Sequence, residues 1–358
     1  MFSLFSNPFI NYRRWGLYIS TAVIILIMAL YARYQVKRAQ QKTVILLSIS
    51  GLRSDAITKL GPERLPHFYQ IIKTGAATLN AQTDFQSTAT MPNHIGMLTG
   101  RPVYGDHGHN YVKDGFFGSA IHDVSQKYIS SVFDVVYRYG LRSTFFASNY
   151  NFGLFVISYT QASSMFDIPV LKKNASRFQS YYITRGQDDD TFRKFRYELI
   201  HYDSSLIFLH MAGPQMVGQS RGWDVQEGSF YLKSVIKVDR YIGEILKAIK
   251  ENKHLMNSTY LIITTDHGGS QKNYVDFMNP DNYTIPFMVW GPEIARGQDL
   301  YQLNKGRRRD PGKRKVPNIS MAQPVRNTDA ANLVLYLLNL PSVSGSVSNV
   351  AQDLNVAP

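Results

Sequence analysis

The chain has 358 residues, of which 44% are hydrophobic and none is cysteine, and its formal net charge is +13. This length and apolar content allow one large α/β domain or two smaller ones and exclude a wholly disordered chain. The absence of cysteine excludes disulfides and thiolate metal sites, so any metal would need histidine and carboxylate ligands. The positive charge suits a neighbour such as anionic lipid. Because no nucleic-acid recognition motif accompanies it, we expect no nucleic-acid partner.

An uncharged apolar stretch, WGLYISTAVIILIMALYA, lies near the start of the chain at residues 15–32. Its 18 residues approach the roughly 20 that a helix needs to cross a bilayer. A cleaved signal peptide is the alternative, but Leu30-Tyr31-Ala32 lacks the small residue required at the −3 position. We therefore predict a basic segment at 1–14, a single transmembrane helix at 15–32 in contact with lipid, and a linker at 33–42.

The sequence leaves open the side of the membrane on which the folded part lies. Two arginines precede the apolar stretch and four basic residues follow it, which favours the cytoplasmic or matrix side. No acidic residue occurs before Asp55, and such a start also suits mitochondrial import. We expect a single-pass protein of the mitochondrial inner membrane or of the bacterial cell envelope.

Apolar runs of strand length then alternate with helical patterns. The runs lie at 43–50, 143–148, 205–211, 259–266 and 283–291, and the clearest helical patterns lie at 227–253 and 329–339. This alternation predicts a largely parallel sheet with helices on both faces. Ligands in such folds bind at the carboxyl ends of the strands, where Ser50, the loop after Met211 and Asp266 fall.

A strongly basic loop follows the last of these strands. Between Lys305 and Lys315 the sequence KGRRRDPGKRK has seven basic residues in eleven, and Pro311 and Gly312 indicate a turn. Such a loop is either a solvated basic turn or a contact for anionic lipid or an acidic partner surface.

Three segments together resemble a known family. They are ISGLRSD (49–55), TATMPNHIGMLTGRPVYGDHGH (88–109) and TTDHGG (264–269). Their order and spacing are similar to those of the type I phosphodiesterase/nucleotide pyrophosphatase branch of the alkaline phosphatase superfamily. The similarity continues through 282–292 and 323–341. It implies an alkaline-phosphatase-like α/β domain with a mostly parallel central sheet at 43–345, followed by a C-terminal tail at 346–358.

The resemblance also implies a site. In active relatives two divalent metals, usually zinc, flank a Thr or Ser nucleophile and are held by three Asp and three His. By position, the nucleophile falls on Thr90 and the Asn that steadies a phosphate oxygen falls on Asn93. One ligand pair falls on Asp266 and His267.

The other four ligand positions differ from those of active relatives. Ser50 replaces an Asp, Gln215 and Gln219 replace an Asp and a His, and Tyr274 stands where a late His is expected. Neutral oxygen atoms are weak zinc ligands compared with carboxylate and imidazole. We therefore expect no bound cofactor, with two zinc ions per chain only if the protein is active.

These substitutions predict a membrane-anchored, catalytically inactive phosphodiesterase-like protein that acts as a scaffold or accessory subunit, with protein partners in a membrane complex. The alternative is a weak or single-metal phosphodiesterase or phosphatase with Thr90 as nucleophile.

Relatives of this fold usually work outside the cytoplasm, which opposes the orientation that the flanking charges favour.

Overall fold

A computed structural model of the protein describes Tyr18 and residues 22–29, 41–160, 176–318 and 320–358. Tyr18 and residues 22–29 are helical, but the rest of the predicted anchor 15–32 lies outside the described residues, as do 1–14 and most of the linker 33–42. Among the helices that the structure describes, none is both long and apolar enough to cross a membrane. The chain divides into two compact units, Met1–Gln41 and Lys42–Pro358, and the second contains all the elements below.

One mixed sheet forms the centre of this second unit. Within the described residues its eight strands are β1 (Thr43–Ile49), β2 (Ala76–Gln82), β3 (Ser143–Ala147), β4 (Ser180–Ile183), β5 (Leu206–Met211), β6 (Thr259–Thr264), β7 (Thr284–Trp290) and β8 (Gln298–Asp299). They lie in the order β4-β3-β5-β1-β6-β7-β2-β8. Strand β7 is antiparallel to both of its neighbours and every other neighbouring pair is parallel, which confirms the mostly parallel sheet.

Helices connect and cover the strands. They are α1 (Ser54–Arg64), α2 (Pro66–Thr74), α3 (Thr90–Thr99), α4 (Ile121–Ser125), α5 (Val132–Arg138), α6 (Gly153–Thr160), α7 (Asp188–His201), α8 (Gly213–Arg221), α9 (Phe230–Glu251), α10 (Lys253–Met256), α11 (Pro280–Tyr283), α12 (Leu300–Leu303) and α13 (Ala330–Leu337). The two clearest helical patterns in the sequence correspond to α9 and α13.

Two apolar cores lie on opposite faces of the sheet because side chains alternate along each strand. Val44 and Leu46 of β1 face a core that includes residues of α3, α5, α6 and α13. Ile45 and Leu47 face a second core that includes residues of α1, α2, α7 and α9. Strand β1 is therefore buried on both sides, as its unbroken apolar run predicts.

Three central strands bring their carboxyl ends to one edge of the sheet. Ile49 of β1 pairs with Met211 of β5, and Ser48 pairs with Thr264 of β6. The segments that begin at Ser50, Ala212 and Thr265 consequently meet. They carry six of the eight predicted site residues: Ser50, Gln215, Gln219, Asp266, His267 and Tyr274.

The buried Trp223 joins two of these loops. Its indole Nε1 donates to the Gly51 carbonyl at 2.9 Å. Its ring packs against Gly218 of α8 and against Gly269, where a Cβ at either position would lie 2.2 Å from a ring atom. Glycine is thus required at these positions by close approach.

The C-terminal segment 346–358, predicted as a tail, packs onto the same unit. Leu354 and Val356 are buried in the core that faces α13, and the Ala295 amide donates to the Val356 carbonyl at 2.8 Å. Because these apolar side chains are buried in the core, the segment is part of the domain rather than a separate tail.

Candidate functional site

The Thr90 hydroxyl lies at the first residue of α3 and is buried. Its Oγ1 accepts a hydrogen bond from the Gln215 side-chain amide at 2.7 Å. The same oxygen lies 3.1 Å from Nε2 of His267. Two side chains at predicted ligand positions therefore contact the candidate nucleophile directly.

Asp266 and His267 form a fully buried pair just below Thr90. Oδ2 of Asp266 lies 3.2 Å from Nε2 of His267, and Nδ1 of His267 donates to the Gly268 carbonyl at 2.7 Å. Burial alone would raise the pKa of Asp266, but the neighbouring His267 lowers it below the usual range. Burial opposes the charged imidazole, yet Asp266 raises the pKa of His267 above its usual value. The arrangement favours a carboxylate–imidazolium ion pair.

Ser50 adds to the shell around this carboxylate. Its hydroxyl donates to Oδ2 of Asp266 at 2.7 Å, and the backbone amides of Gly51 and His267 donate to Oδ1 at 3.2 and 2.9 Å. Where the resemblance implies a second carboxylate, Ser50 thus donates a hydrogen bond to the Asp266 carboxylate.

His94 lies beside this pair, but both of its ring nitrogens are occupied. Nδ1 donates to the Thr90 carbonyl at 2.8 Å, and the Ser48 hydroxyl lies 2.8 Å from Nε2. Burial lowers the pKa of His94, which favours the neutral ring. In this tautomer Ser48 donates to Nε2, so His94 holds the first turn of α3 against β1.

The Asn93 side chain points into the protein rather than into the site. Its Nδ2 donates to the carbonyls of Ser87 and Ala89 at 2.9 and 3.0 Å, which uses both amide protons. Its Oδ1 accepts from the Asp84 amide and from Asn327. The predicted contact to a phosphate oxygen would require this side chain to leave its partners.

The sequence did not single out Asp114. This residue comes from a separate segment, and its carboxylate contacts the first turn of α3. Its Oδ1 accepts from the Met91 backbone N–H at 2.9 Å, and its Oδ2 accepts from the Tyr274 hydroxyl at 2.7 Å. Asp114 belongs to an irregular segment, and no local pattern marks its carboxylate as a partner of the helix. The first turn of a helix attracts anions, and here a carboxylate of the chain itself occupies that place.

Tyr274 covers the buried ion pair. Its ring stacks on the His267 imidazole with centroids 4.2 Å apart and planes 12° apart. The Trp223 ring centroid lies 6.4 Å from that of His267, so two aromatic side chains border this imidazole. Tyr274 therefore lies at the site, next to His267.

A cavity of about 360 Å³ opens above Thr90. Its lining includes four of the predicted residues, Thr90, Gln215, Gln219 and Tyr274, together with Asp114, Asn149, Tyr150 and Arg185. Ser50, Asp266 and His267 lie beneath it and are fully buried. The structure thus gathers every predicted residue except the Asn93 side chain around one hydroxyl.

The residues present do not fit a two-zinc centre. Of the six positions, only Asp266 and His267 provide a carboxylate and an imidazole, and these two bind each other. In the part of the chain that the structure describes, no cluster of three or more His, Cys, Asp or Glu side chains could hold a metal ion. Hydroxyl and amide oxygens do not offset the charge of two zinc ions.

Comparison with known proteins decides the family. The sequence model of type I phosphodiesterase/nucleotide pyrophosphatase matches residues 44–285. The chain belongs to this family. Human ectonucleotide pyrophosphatase/phosphodiesterase family member 5 is 23% identical over 299 residues, which are 80% of this chain and 59% of the human protein. The GPI ethanolamine phosphate transferase 1 of Schizosaccharomyces pombe is 24% identical over 164 residues, or 44% of this chain and 16% of the transferase.

Solved structures of the phosphodiesterase family agree with the fold. Murine ectonucleotide pyrophosphatase/phosphodiesterase 5 has a TM-score of 0.60 at 16% identity, over 89% of this chain and 100% of the murine chain. An inactive variant of that protein in complex with AMP has a TM-score of 0.57 at 17% identity, over 88% and 100%. At such identities the likeness shows the alkaline-phosphatase-like α/β fold alone.

Proposed function

We propose that this phosphodiesterase-family protein does not hydrolyse phosphate esters and instead acts as a membrane-anchored scaffold or accessory subunit. The observation that carries the proposal is the environment of Thr90. A neutral amide donates to its hydroxyl, where a nucleophile would need a metal or a base to remove its proton.

His267 is not arranged to act as that base. In a Ser-His-Asp triad the acid binds one imidazole nitrogen and the nucleophile binds the other. Here Asp266 and Thr90 both lie beside Nε2, while Nδ1 is bonded to the Gly268 carbonyl. An imidazolium in this position has no lone pair to accept the Thr90 proton.

Asp114 opposes the binding of a phosphate group at α3. A carboxylate and a phosphate carry like charges and repel each other. For two unit charges about 4 Å apart, the repulsion is about 1 kcal/mol in bulk water and about 4 kcal/mol near a protein surface. A helix N-terminus contributes only about 0.3 to 1 kcal/mol of attraction for an anion. Near a protein surface the repulsion therefore exceeds the attraction while Asp114 stays bonded to Met91 and Tyr274.

The alternative is a weak, Thr90-dependent phosphodiesterase, which the 3.1 Å approach of His267 to Thr90 favours. Turnover of bis(p-nitrophenyl) phosphate by the full chain separates the two. We expect wild type, Thr90→Ala and the surface control Ser220→Ala to give the same background rate. Turnover that Thr90→Ala abolishes and Ser220→Ala preserves would establish the enzyme.

The scaffold role rests on the apolar stretch 15–32 and on a fold kept without an activated nucleophile. We propose that the chain joins a membrane complex in the mitochondrial inner membrane or the bacterial cell envelope. Cross-linking in native membranes, followed by purification of the tagged full chain, should yield a partner in fixed stoichiometry. Recovery of the chain alone under the same cross-linking would contradict this role.

A further inference from the structure

Two surface segments are joined by the partly buried side chain of Lys315. Its Nζ donates to the Phe277 carbonyl. The same ammonium lies over the rings of Phe277, Tyr283 and Phe85, at 4.6, 5.1 and 5.5 Å from their centroids. This cation–π contact attaches the basic loop Lys305–Lys315 to the segment that follows Tyr274.

The basic loop is also held along its backbone. Asn80 donates to the Asp310 carboxylate at 2.6 Å and to the Gly312 carbonyl at 3.1 Å. Gln82 of β2 donates to the Arg314 carbonyl at 2.6 Å. These hydrogen bonds hold the loop in a defined conformation on the domain surface. Its only acidic residue, Asp310, is bonded to Asn80.

Most of the loop's charge nevertheless faces solvent. Arg308 pairs with Asp329 at 3.3 Å and Lys315 is enclosed by aromatic rings. The remaining five basic residues are exposed, and none forms an ion pair with another described residue: Lys305, Arg307, Arg309, Lys313 and Arg314. This part of the surface carries positive charge that the described part of the chain does not neutralise.

Exposed apolar side chains lie beside this charge. Val275, Phe277 and Met278 are 53%, 39% and 62% exposed, and Phe277 is the residue that Lys315 binds. A single exposed apolar residue is ordinary, whereas three within four positions beside a basic loop mark an interaction surface. Asp276 lies among them, and its carboxylate caps the Met278 amide at 3.1 Å.

We propose that these two segments form a lipid-binding face, made of Val275, Phe277, Met278, Lys313 and Arg314, that docks on an anionic bilayer. The cations would contact headgroup phosphates and carboxylates while the apolar side chains enter the interface. The predicted anchor at 15–32 favours a bilayer as the partner, and an acidic protein surface is the other outcome that the test distinguishes. The inference does not depend on whether Thr90 is active.

The cysteine-free sequence allows a direct test. The full-length Met278→Cys variant, labelled with an environment-sensitive dye, is reconstituted in phosphatidylcholine vesicles with and without phosphatidylserine. We expect a blue-shifted emission and quenching by brominated lipid only with phosphatidylserine, both reversed by salt. A label at Met256→Cys, also exposed but on α10, should not respond.

Charge reversal tests the cationic part of the lipid-binding face. Lys313→Glu with Arg314→Glu should abolish the phosphatidylserine response of the Met278→Cys label, whereas Lys250→Glu with Lys253→Glu should preserve it. The proposal would be overturned if the label showed no blue shift with anionic vesicles. It would also be overturned if both charge-reversed pairs lost the phosphatidylserine response equally. A shift caused by added polyglutamate but not by phosphatidylserine would overturn it in favour of an acidic protein partner.

Discussion

At the scale of single residues, Gln215 makes the closest contact to the Thr90 hydroxyl, at 2.7 Å. A carboxylate at this position could bind a metal but could not donate a hydrogen bond to Thr90. The glutamine amide donates to Thr90 instead. Where the resemblance implies a charged metal ligand, the chain thus has a neutral side chain that donates a hydrogen bond to the hydroxyl.

Asp114 provides the first prediction. Asp114→Asn keeps an oxygen for the Met91 N–H but removes the negative charge beside the start of α3. We expect affinity for inorganic phosphate to rise by about tenfold or more, since about 1.4 kcal/mol corresponds to a factor of ten. Phosphorus NMR titration of the full chain measures it.

Asp106→Asn serves as the control, because Asp106 is exposed and does not line the cavity above Thr90. If wild type and Asp114→Asn bind phosphate equally, Asp114 does not exclude the anion. A gain in both variants would point to a nonspecific effect of net charge.

The buried ion pair predicts a dependence of stability on pH. The pKa of His267 is raised above its ordinary 6.5, so its stabilising contribution is complete below that value and is lost as pH rises through the folded-state pKa. The free energy of unfolding should therefore fall on the alkaline side of pH 6.5, by at most about 1.4 kcal/mol for each pH unit between 6.5 and the folded-state pKa. Urea unfolding of the full chain in detergent measures it.

In His267→Gln this alkaline decline should disappear, whereas the exposed control His201→Gln should retain it. Parallel pH profiles for wild type and His267→Gln would show that His267 is not charged in the folded protein. Asp266 acts in the opposite range, because its lowered pKa gives stability that is lost as pH falls.

At the scale of elements, α8 is fixed against the turn after β6 by Trp223. Gly218→Ala would place a methyl group 2.2 Å from this buried ring. Alanine favours a helix by about 1 kcal/mol, but overpacking a filled core costs about 1 to 3 kcal/mol. Because several ring atoms lie within 2.7 Å of that Cβ, we expect the upper part of this cost and a net destabilisation of about 1 to 2 kcal/mol by urea unfolding.

Ser220→Ala, on the exposed side of the same helix, should change the free energy of unfolding by less than about 0.5 kcal/mol. An unchanged stability in Gly218→Ala would mean that Trp223 is free to move. The position of Gln215 over Thr90 would then need another support.

The elements themselves were largely predictable. The unbroken apolar runs of β1, β5 and β6 indicate strands buried on both faces, and the structure confirms them. The direction of β7 was not predictable, because hydrophobic periodicity does not encode whether a strand is parallel or antiparallel. Strand β8 has two exposed residues, too few for any pattern.

At the scale of the whole molecule, the site combines residues far apart in sequence, and only some of them could be predicted. The motif around Thr90 and the pair Asp266–His267 could be located by resemblance. Asp114 could not, because its role depends on a loop that returns to α3. Nor could the inward orientation of Asn93, which follows from hydrogen bonds to Ser87 and Ala89.

Zinc stoichiometry tests the central claim most directly. The full chain is equilibrated with micromolar zinc, separated from free metal and analysed beside an Asp266→Asn, His267→Gln double variant. Because one carboxylate and one imidazole bind each other at the site, we predict less than one zinc per chain, with no difference between the proteins. Two zinc ions per wild-type chain, lost in the double variant, would contradict the account.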